Sequence, residues 1–319
     1  MADLFSRILK AHEAIRPDVT VTPLDRSGVL SNKLGCDVWL KCEHTQPTGS
    51  FKIRGATNKI RVLGAEARHS GVITASTGNH GQAVARAGAR AGVPVTVYLA
   101  ASTAPVKVAA IQALGAKLVV VEGPPIEAEL AARRVAESQG TPYISPYNDL
   151  DVVAGQGTLG IELAEQAPDL DAVFIAVGCG GFIGGTGTAL RQLRPDTRIV
   201  GVWPENSPCM LRALEAGEII EVVESPTLSD GTAGAVEAGS VTFPICQSVI
   251  NEKISVTETE IASAMREIAA ADHWMVEGAA GVALAGLIQR SDAYRGKKVA
   301  VVLCGRNIAL NTFLEAIGA

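Results

Sequence analysis

GVITASTGNHGQAVARAGARAGVPVTVYLA occupies residues 71–100, and its reading decides the fold. Gly71-Val72-Ile73-Thr74-Ala75 is a short apolar run and predicts a strand. Gln82 to Ala91 is Ala-rich and predicts a helix, stopped by Gly92 and Pro94. Val95 to Leu99 returns to an apolar strand. The order is β-α-β, with no polar alternation in either strand. A strand covered by helices on both faces has no solvent side to keep polar, so this pattern points to a parallel sheet buried on both faces.

The same rhythm extends outward. Downstream, Pro105 to Leu114 reads as helix, Lys117 to Val121 as strand and Ile126 to Ser138 as helix. After residue 150 come a helix from Gln156 to Gln166, a strand from Ala172 to Val177, and a glycine run leading into a helix that ends at Arg194. Arg198 to Trp203 is a strand, and Val299 to Leu303 is the last one. A helix over 308–317 follows it. Thr257 to Glu260 has the form of a capping box opening a helix to Ala271. Upstream, Leu4, Ile8 and Ile15 sit near helical spacing before Pro17, and Val38 to Cys42 reads as a strand. The expected class is α/β in two αβ blocks, about 55–145 and about 150–319.

Composition narrows the function. The net charge is −5 and no basic run occurs, which argues against a nucleic-acid or anionic-membrane partner. No apolar stretch is long enough to span a membrane, and the N-terminus has an early acid, Asp3, without a signal-peptide core. The six cysteines form no C-x-x-C pair and no zinc spacing. They are expected to be free thiols in a reducing, cytoplasmic setting.

In open α/β sheets, ligands sit beyond the carboxyl ends of strands. Three such junctions carry chemistry. Ser76-Thr77-Gly78-Asn79-His80-Gly81 leads from a strand into a helix, where backbone N–H groups can hold a carboxylate; a simple N-cap with turn glycines reads equally well. Gly178-Cys179-Gly180-Gly181-Phe182 can converge amides on a phosphate, or be only a tight turn. It is neither G-x-G-x-x-G nor a Walker A loop, since Ile183 stands at the third glycine and no Gly-Lys-Ser/Thr follows. Cys304-Gly305-Arg306-Asn307 closes the last strand, and alone reads as a buried structural thiol. Lys52, between Phe51 and Ile53, is the candidate for a desolvated amine, although any single lysine is by default a surface one. No histidine pair has triad or metal spacing, and no nucleophile elbow occurs.

Together with Ser50-Phe51-Lys52-Ile53-Arg54-Gly55-Ala56, Ala154-Gly155-Gln156-Gly157-Thr158 and Glu277-Gly278-Ala279-Ala280-Gly281, these motifs run in order along nearly the whole chain. In them the sequence resembles the fold-type II pyridoxal-phosphate enzymes, specifically the serine/threonine dehydratase (threonine ammonia-lyase) and serine racemase group. The resemblance implies a two-domain, tryptophan synthase β-like α/β fold. Its large domain would comprise 1–54 with 146–319, and its small domain 55–145. It implies pyridoxal 5′-phosphate held by Lys52 as a Schiff base, with Lys52 also the base at Cα. Phe51, Gly178, Cys179, Gly180, Gly181 and Phe182 would lie on the cofactor, mostly around its phosphate. Asn79 would hydrogen-bond its 3′ oxygen and Cys304 would face the pyridine nitrogen. Ser76, Thr77, Gly78, Asn79 and His80 would line the substrate carboxylate loop.

The sequence departs from the group's pattern at several positions. Cys179 replaces the second glycine of a tetraglycine loop, a change that backbone amides tolerate. Trp203 and Cys209 fall where metal-binding members carry acids, so no divalent cation is expected. Thr77 stands where racemases place the serine that serves as the acid on the second face. The chain stops soon after Cys304, so the C-terminal regulatory domain of some threonine dehydratases is expected to be absent. The implied activity is a β-elimination that converts serine, threonine or a bulkier 3-hydroxy amino acid to a 2-oxo acid and ammonia. Phenylserine-type and hydroxyectoine-breakdown dehydratases fit the same motifs. Racemisation, β-replacement with a second nucleophile, and a small-ligand binding protein without enzymatic activity are the alternatives. A homodimer is usual in the group. Tyr147 and Thr232, in the loops at 146–149 and 228–236, are expected to shape the side-chain pocket.

Overall fold

The computed structural model describes residues 2–318. In chain order the elements are α1 (Ala2–Ile15), β1 (Leu24–Arg26), α2 (Gly28–Leu34), β2 (Asp37–Lys41), α3 (Lys52–Ser70), β3 (Val72–Ala75), α4 (Asn79–Ala91) and β4 (Val95–Ala100). They continue with α5 (Pro105–Gln112), β5 (Lys117–Val121), α6 (Pro125–Gln139), α7 (Leu150–Gln166), β6 (Ala172–Ala176), α8 (Gly181–Leu193), β7 (Arg198–Pro204) and α9 (Cys209–Ala216). The last are α10 (Thr242–Val249), β8 (Glu252–Val256), α11 (Glu258–Asp272), α12 (Gly278–Arg290), β9 (Lys298–Val302) and α13 (Leu310–Ile317).

Two sheets result. The larger has the order β1-β2-β9-β6-β7-β8, and the smaller β3-β4-β5. Every pairing is parallel except β1 with β2. Strand β9, last in the chain, lies between β2 and β6. The carboxyl ends of β2, β9 and β6 therefore stand side by side, and they lead into Lys52, Cys304 and Gly178. Strand β6 is buried at every residue, which is why it reads as an unbroken apolar run.

Sequence boundaries and observed ones differ instructively. The helix expected from Gln82 begins at Asn79, and the one expected from Gln156 begins at Leu150. In the second case Asp149 caps the end, its carboxylate accepting from the Asp151 and Val152 amides. The capping box at Thr257 and Glu260 is present with both of its bonds. Helix α7 packs tightly between α3 and α8 because glycines face it. A Cβ at Gly155 would stand 2.6 Å from the Arg54 carbonyl and from Gly55 Cα, so neither helix can retreat without opening the seam that holds α3.

Candidate active site

The position of Lys52 is set by main chain. After β2, residues 49–51 run antiparallel against 304–306. Ser50 pairs with Gly305, the Phe51 amide donates to the Cys304 carbonyl at 3.1 Å, and the Arg306 amide donates to Gly49 at 2.9 Å. Lys52 then opens α3 beside the end of β9. Its Nζ donates to the Pro146 carbonyl at 3.2 Å and forms no ion pair among the described residues. Burial pushes its pKa below the ordinary lysine value, and the nearby Cys179, Cys304 and Glu277 only partly oppose this.

Two residues along, Arg54 is anchored in a buried ionic cluster. Its guanidinium grips Glu43 bidentately at 2.7 and 2.8 Å and Glu162 at 2.7 and 2.9 Å. Lys41 Nζ reaches Glu162 at 2.7 Å. Lys41, Glu43, Arg54 and Glu162 are each no more than 2% exposed, so two cations and two carboxylates neutralise one another without water. The cluster locks the first turn of α3, and with it Lys52. Nothing in the sequence pairs positions 41, 43, 54 and 162, and the reading from sequence missed them.

On the small sheet, β3 leads through Ser76–Gly78 into α4. Ser76 Oγ accepts from the Gly78 amide at 3.2 Å. The Thr77 hydroxyl is half-buried and has no partner among the described residues. His80 is buried, with Nε2 on the Ile144 carbonyl at 3.0 Å and Nδ1 unpartnered. Burial and then the Lys52 charge pull its pKa down to about 3, so the ring is neutral. A neutral ring bonded to a carbonyl carries its proton on Nε2 and leaves Nδ1 as an acceptor.

On the large sheet, Gly178 to Phe182 turn from β6 into α8. Gly180 is the N-cap with φ +87°, and a Cβ there would fall 2.4 Å from Cys246 Sγ. A Cβ at Gly178 would fall 2.7 Å from the Thr232 carbonyl, and one at Gly181 3.1 Å from Tyr147 Cβ. Thus Tyr147 and Thr232 both abut this turn. The Phe51 and Phe182 rings stack at 3.8 Å with 12° between their planes. The Cys179 thiol is pushed up to about 12 by burial, and Cys304 well above an ordinary thiol, so both carry their protons.

Glu277 joins the two sheets. Asn79, at the start of α4, donates to both Glu277 oxygens at 2.8 and 3.1 Å. The Asn307 amide donates to Glu277 at 3.1 Å, and the Asn307 side chain spans Asn79 Oδ1 at 2.6 Å and the Thr48 carbonyl at 2.8 Å. Burial raises the Glu277 carboxyl to about 7, against the lowering effect of Asn79. From sequence Glu277 reads as a helix anchor or a cap. It occupies the N-cap of α12, yet its side chain makes no capping bond and turns to Asn79 instead. Gly305 makes room for it, since a Cβ there would meet Glu277 Oε1 at 2.2 Å.

Lys52, Cys179, Cys304, Glu277 and His80 thus surround one point, with the N-termini of α4 and α8 beside it. The arrangement fits pyridoxal phosphate. It offers a desolvated primary amine for an aldehyde, a helix N-terminus whose glycines admit no side chain for a phosphate, and a neutral thiol for a ring nitrogen.

Comparison with known proteins agrees. Residues 15–305 match the family model described as pyridoxal-phosphate dependent enzyme. An L-threonine ammonia-lyase of Thermotoga maritima is 39% identical over 304 residues, covering 95% of this chain and 75% of that protein. Among solved structures, the processed threonine deaminase isoform 2 of Solanum lycopersicum has a TM-score of 0.95 at 32% identity, covering 99% of this chain and 93% of that one. Serine racemase from Dictyostelium discoideum has a TM-score of 0.89 at 33% identity, covering 96% and 99%. This chain belongs to the pyridoxal-phosphate dependent enzymes.

Proposed function

We propose that this enzyme is an ammonia-lyase that eliminates water from a small β-hydroxy amino acid, serine, threonine or a bulkier 3-hydroxy amino acid, to give a 2-oxo acid and ammonia. The observation that carries this reading is Lys52: a half-buried amine with no ion-pair partner among the described residues, whose desolvation drives it toward its neutral form between a glycine turn and two helix N-termini. The named relatives support it, since several are threonine ammonia-lyases or dehydratases.

When bound, pyridoxal phosphate supplies the electron sink that lets the Cα–H bond break. The protein's own groups do the rest. Lys52 would hold the cofactor, and its desolvated amine would be the base for the Cα proton. The α8 N-terminus, with Gly178, Cys179, Gly180, Gly181 and Phe182, would hold the phosphate through backbone amides, and Phe51 would flank the cofactor. The turn of Ser76, Thr77, Gly78, Asn79 and His80 receives the substrate carboxylate at the α4 N-terminus. Asn79, oriented by Glu277 and Asn307, would be the donor for the cofactor's phenolic oxygen. The protonated Cys304 thiol would be the group for the ring nitrogen, and as a neutral partner it would not keep that nitrogen protonated as an aspartate would, which favours prompt elimination.

We take 1–54 with 146–319 as one domain and 55–145 as the other. Lys107–Asp230 at 3.2 Å and Arg133–Glu237 at 2.5 Å would then bridge them and help exclude water from the reacting carbon. We further propose a cytoplasmic homodimer, supported by the six free cysteines and by membership of a group in which dimers are usual. Racemisation is the second reading: Thr77 stands where racemases of the group carry a serine, and its hydroxyl has no partner among the described residues, but its extra methyl restricts the rotamer and leaves elimination ahead.

A 2-oxo-acid assay over serine, threonine and phenylserine tests the proposal. Oxo acid from at least one of them, lost in Lys52→Ala, supports elimination. Cofactor absorbance with D-product and no oxo acid moves the assignment to racemase.

A further inference from the structure

Away from Lys52, a cavity of about 290 Å³ opens between α3 and α4. None of the groups described around the reactive lysine lines it. Its floor is apolar, formed by residues such as Ile53, Ile60 and Ala87, while its rim carries Arg61, Arg68, Arg86 and Arg90 with one acid, Asp18. Four arginines against one aspartate leave a net of three positive charges, in a chain whose net charge is −5.

Asp18 is already spent. It binds Arg61 at 2.7 Å and Arg90 at 3.2 Å. Burial alone would raise its pKa, but these two arginines hold it below the usual carboxylate range. Arg68 and Arg86 make no hydrogen bond or ion pair among the described residues, although Arg86 is half-buried. Thr57 lines the same cavity, is only 4% exposed, and its hydroxyl has no partner among the described residues. A buried hydroxyl left unpaired costs about 1–3 kcal/mol, so its presence in a charged cavity calls for an acceptor. Guanidinium forks match phosphate oxygens, and a dianion would offset two of the three excess charges. The volume lies at the small end of ligand pockets.

We propose that this cavity binds a small phosphomonoester. Its phosphoryl group is taken by Arg68 and Arg86 with the Thr57 hydroxyl as a further donor, and a short apolar body lies on the floor. The proposal is independent of the reaction assigned to Lys52.

Calorimetric titration of the cofactor-loaded enzyme at low ionic strength, with phenyl phosphate and phenol as probes, tests it. One equivalent of phenyl phosphate should bind saturably, with the cofactor absorbance unchanged, while phenol should not bind. The double variant Arg68→Gln/Arg86→Gln should weaken phenyl phosphate by at least about tenfold, or about 1.4 kcal/mol. Neither arginine has a partner among the described residues, so the variant's melting temperature should match the wild type's. Thr57→Val should weaken binding less. Wild-type affinity in the double variant, equal binding of phenol, or no saturable binding of phenyl phosphate would each overturn the proposal.

Discussion

Replacing Glu43 by glutamine tests how the protein holds its reactive lysine. In the wild type Arg54 is shared between Glu43 and Glu162, with Lys41 closing the cluster. All four side chains are essentially inaccessible. Glutamine keeps the size but removes one negative charge, leaving a net positive charge where no water can reach. Breaking one partner of a buried ion pair costs about 3–5 kcal/mol. At roughly 2–4 °C per kcal/mol, the melting temperature should fall by roughly 10 °C. The exposed pair Lys33–Glu267, at 2.5 Å, is the control, because Glu267→Gln should cost less than about 1 kcal/mol. The pH dependence adds a sign. Burial would raise the Glu43 pKa, but Arg54 outweighs it and the folded value is depressed. The stabilisation is therefore present above the ordinary carboxylate pKa and is lost as pH falls through the folded value, and Glu43→Gln removes that dependence. Thermal melts of both variants over a pH series provide the measurement. A melting temperature for Glu43→Gln within about 2 °C of the wild type, or no larger a loss than in Glu267→Gln, would refute the claim that the cluster anchors α3.

Three further outcomes are expected. Glu277 is raised to about 7 when folded, so its ionisation opposes folding. Between the unfolded carboxylate pKa and about 7, the wild type should lose stability with rising pH relative to Glu277→Gln, by about 3 kcal/mol, as read by urea denaturation. Gly180→Ala forces a side chain into a positive-φ position against Cys246 Sγ, and should weaken pyridoxal phosphate binding to the cofactor-free protein, measured by fluorescence titration. Thr77→Ala should retain 2-oxo-acid formation while abolishing any racemisation, followed by chiral chromatography.

Most strands were legible because buried parallel strands are apolar through their buried length, as in Ala172–Ala176 and in Lys298–Val302 after its first residue. Helix α12 was not, because Gly278–Arg290 is buried through almost all of its length and shows no polar stripe to give a helical period. Helix α3 was also missed. Its sequence carries Gly55 and Gly64, and at Gly64 the helix breaks, with φ +58° and ψ −129°. Strand β1 has three residues, too few for any periodicity. In the site, glycine runs after strands could be read as turns ready for a ligand. Pro146 and Glu277 could not be placed beside Lys52, because they reach it through topology and not through spacing. Asn307 closed a motif without a role until its bonds to Asn79 and Thr48 were visible.

The central claim is that Lys52 carries the cofactor. Borohydride reduction of the cofactor-loaded enzyme, followed by peptide mass mapping, tests it most directly. The account predicts one phosphopyridoxyl group on Lys52, with loss of labelling and of visible cofactor absorbance in Lys52→Ala. Label on another lysine, or unchanged labelling in that variant, would contradict it.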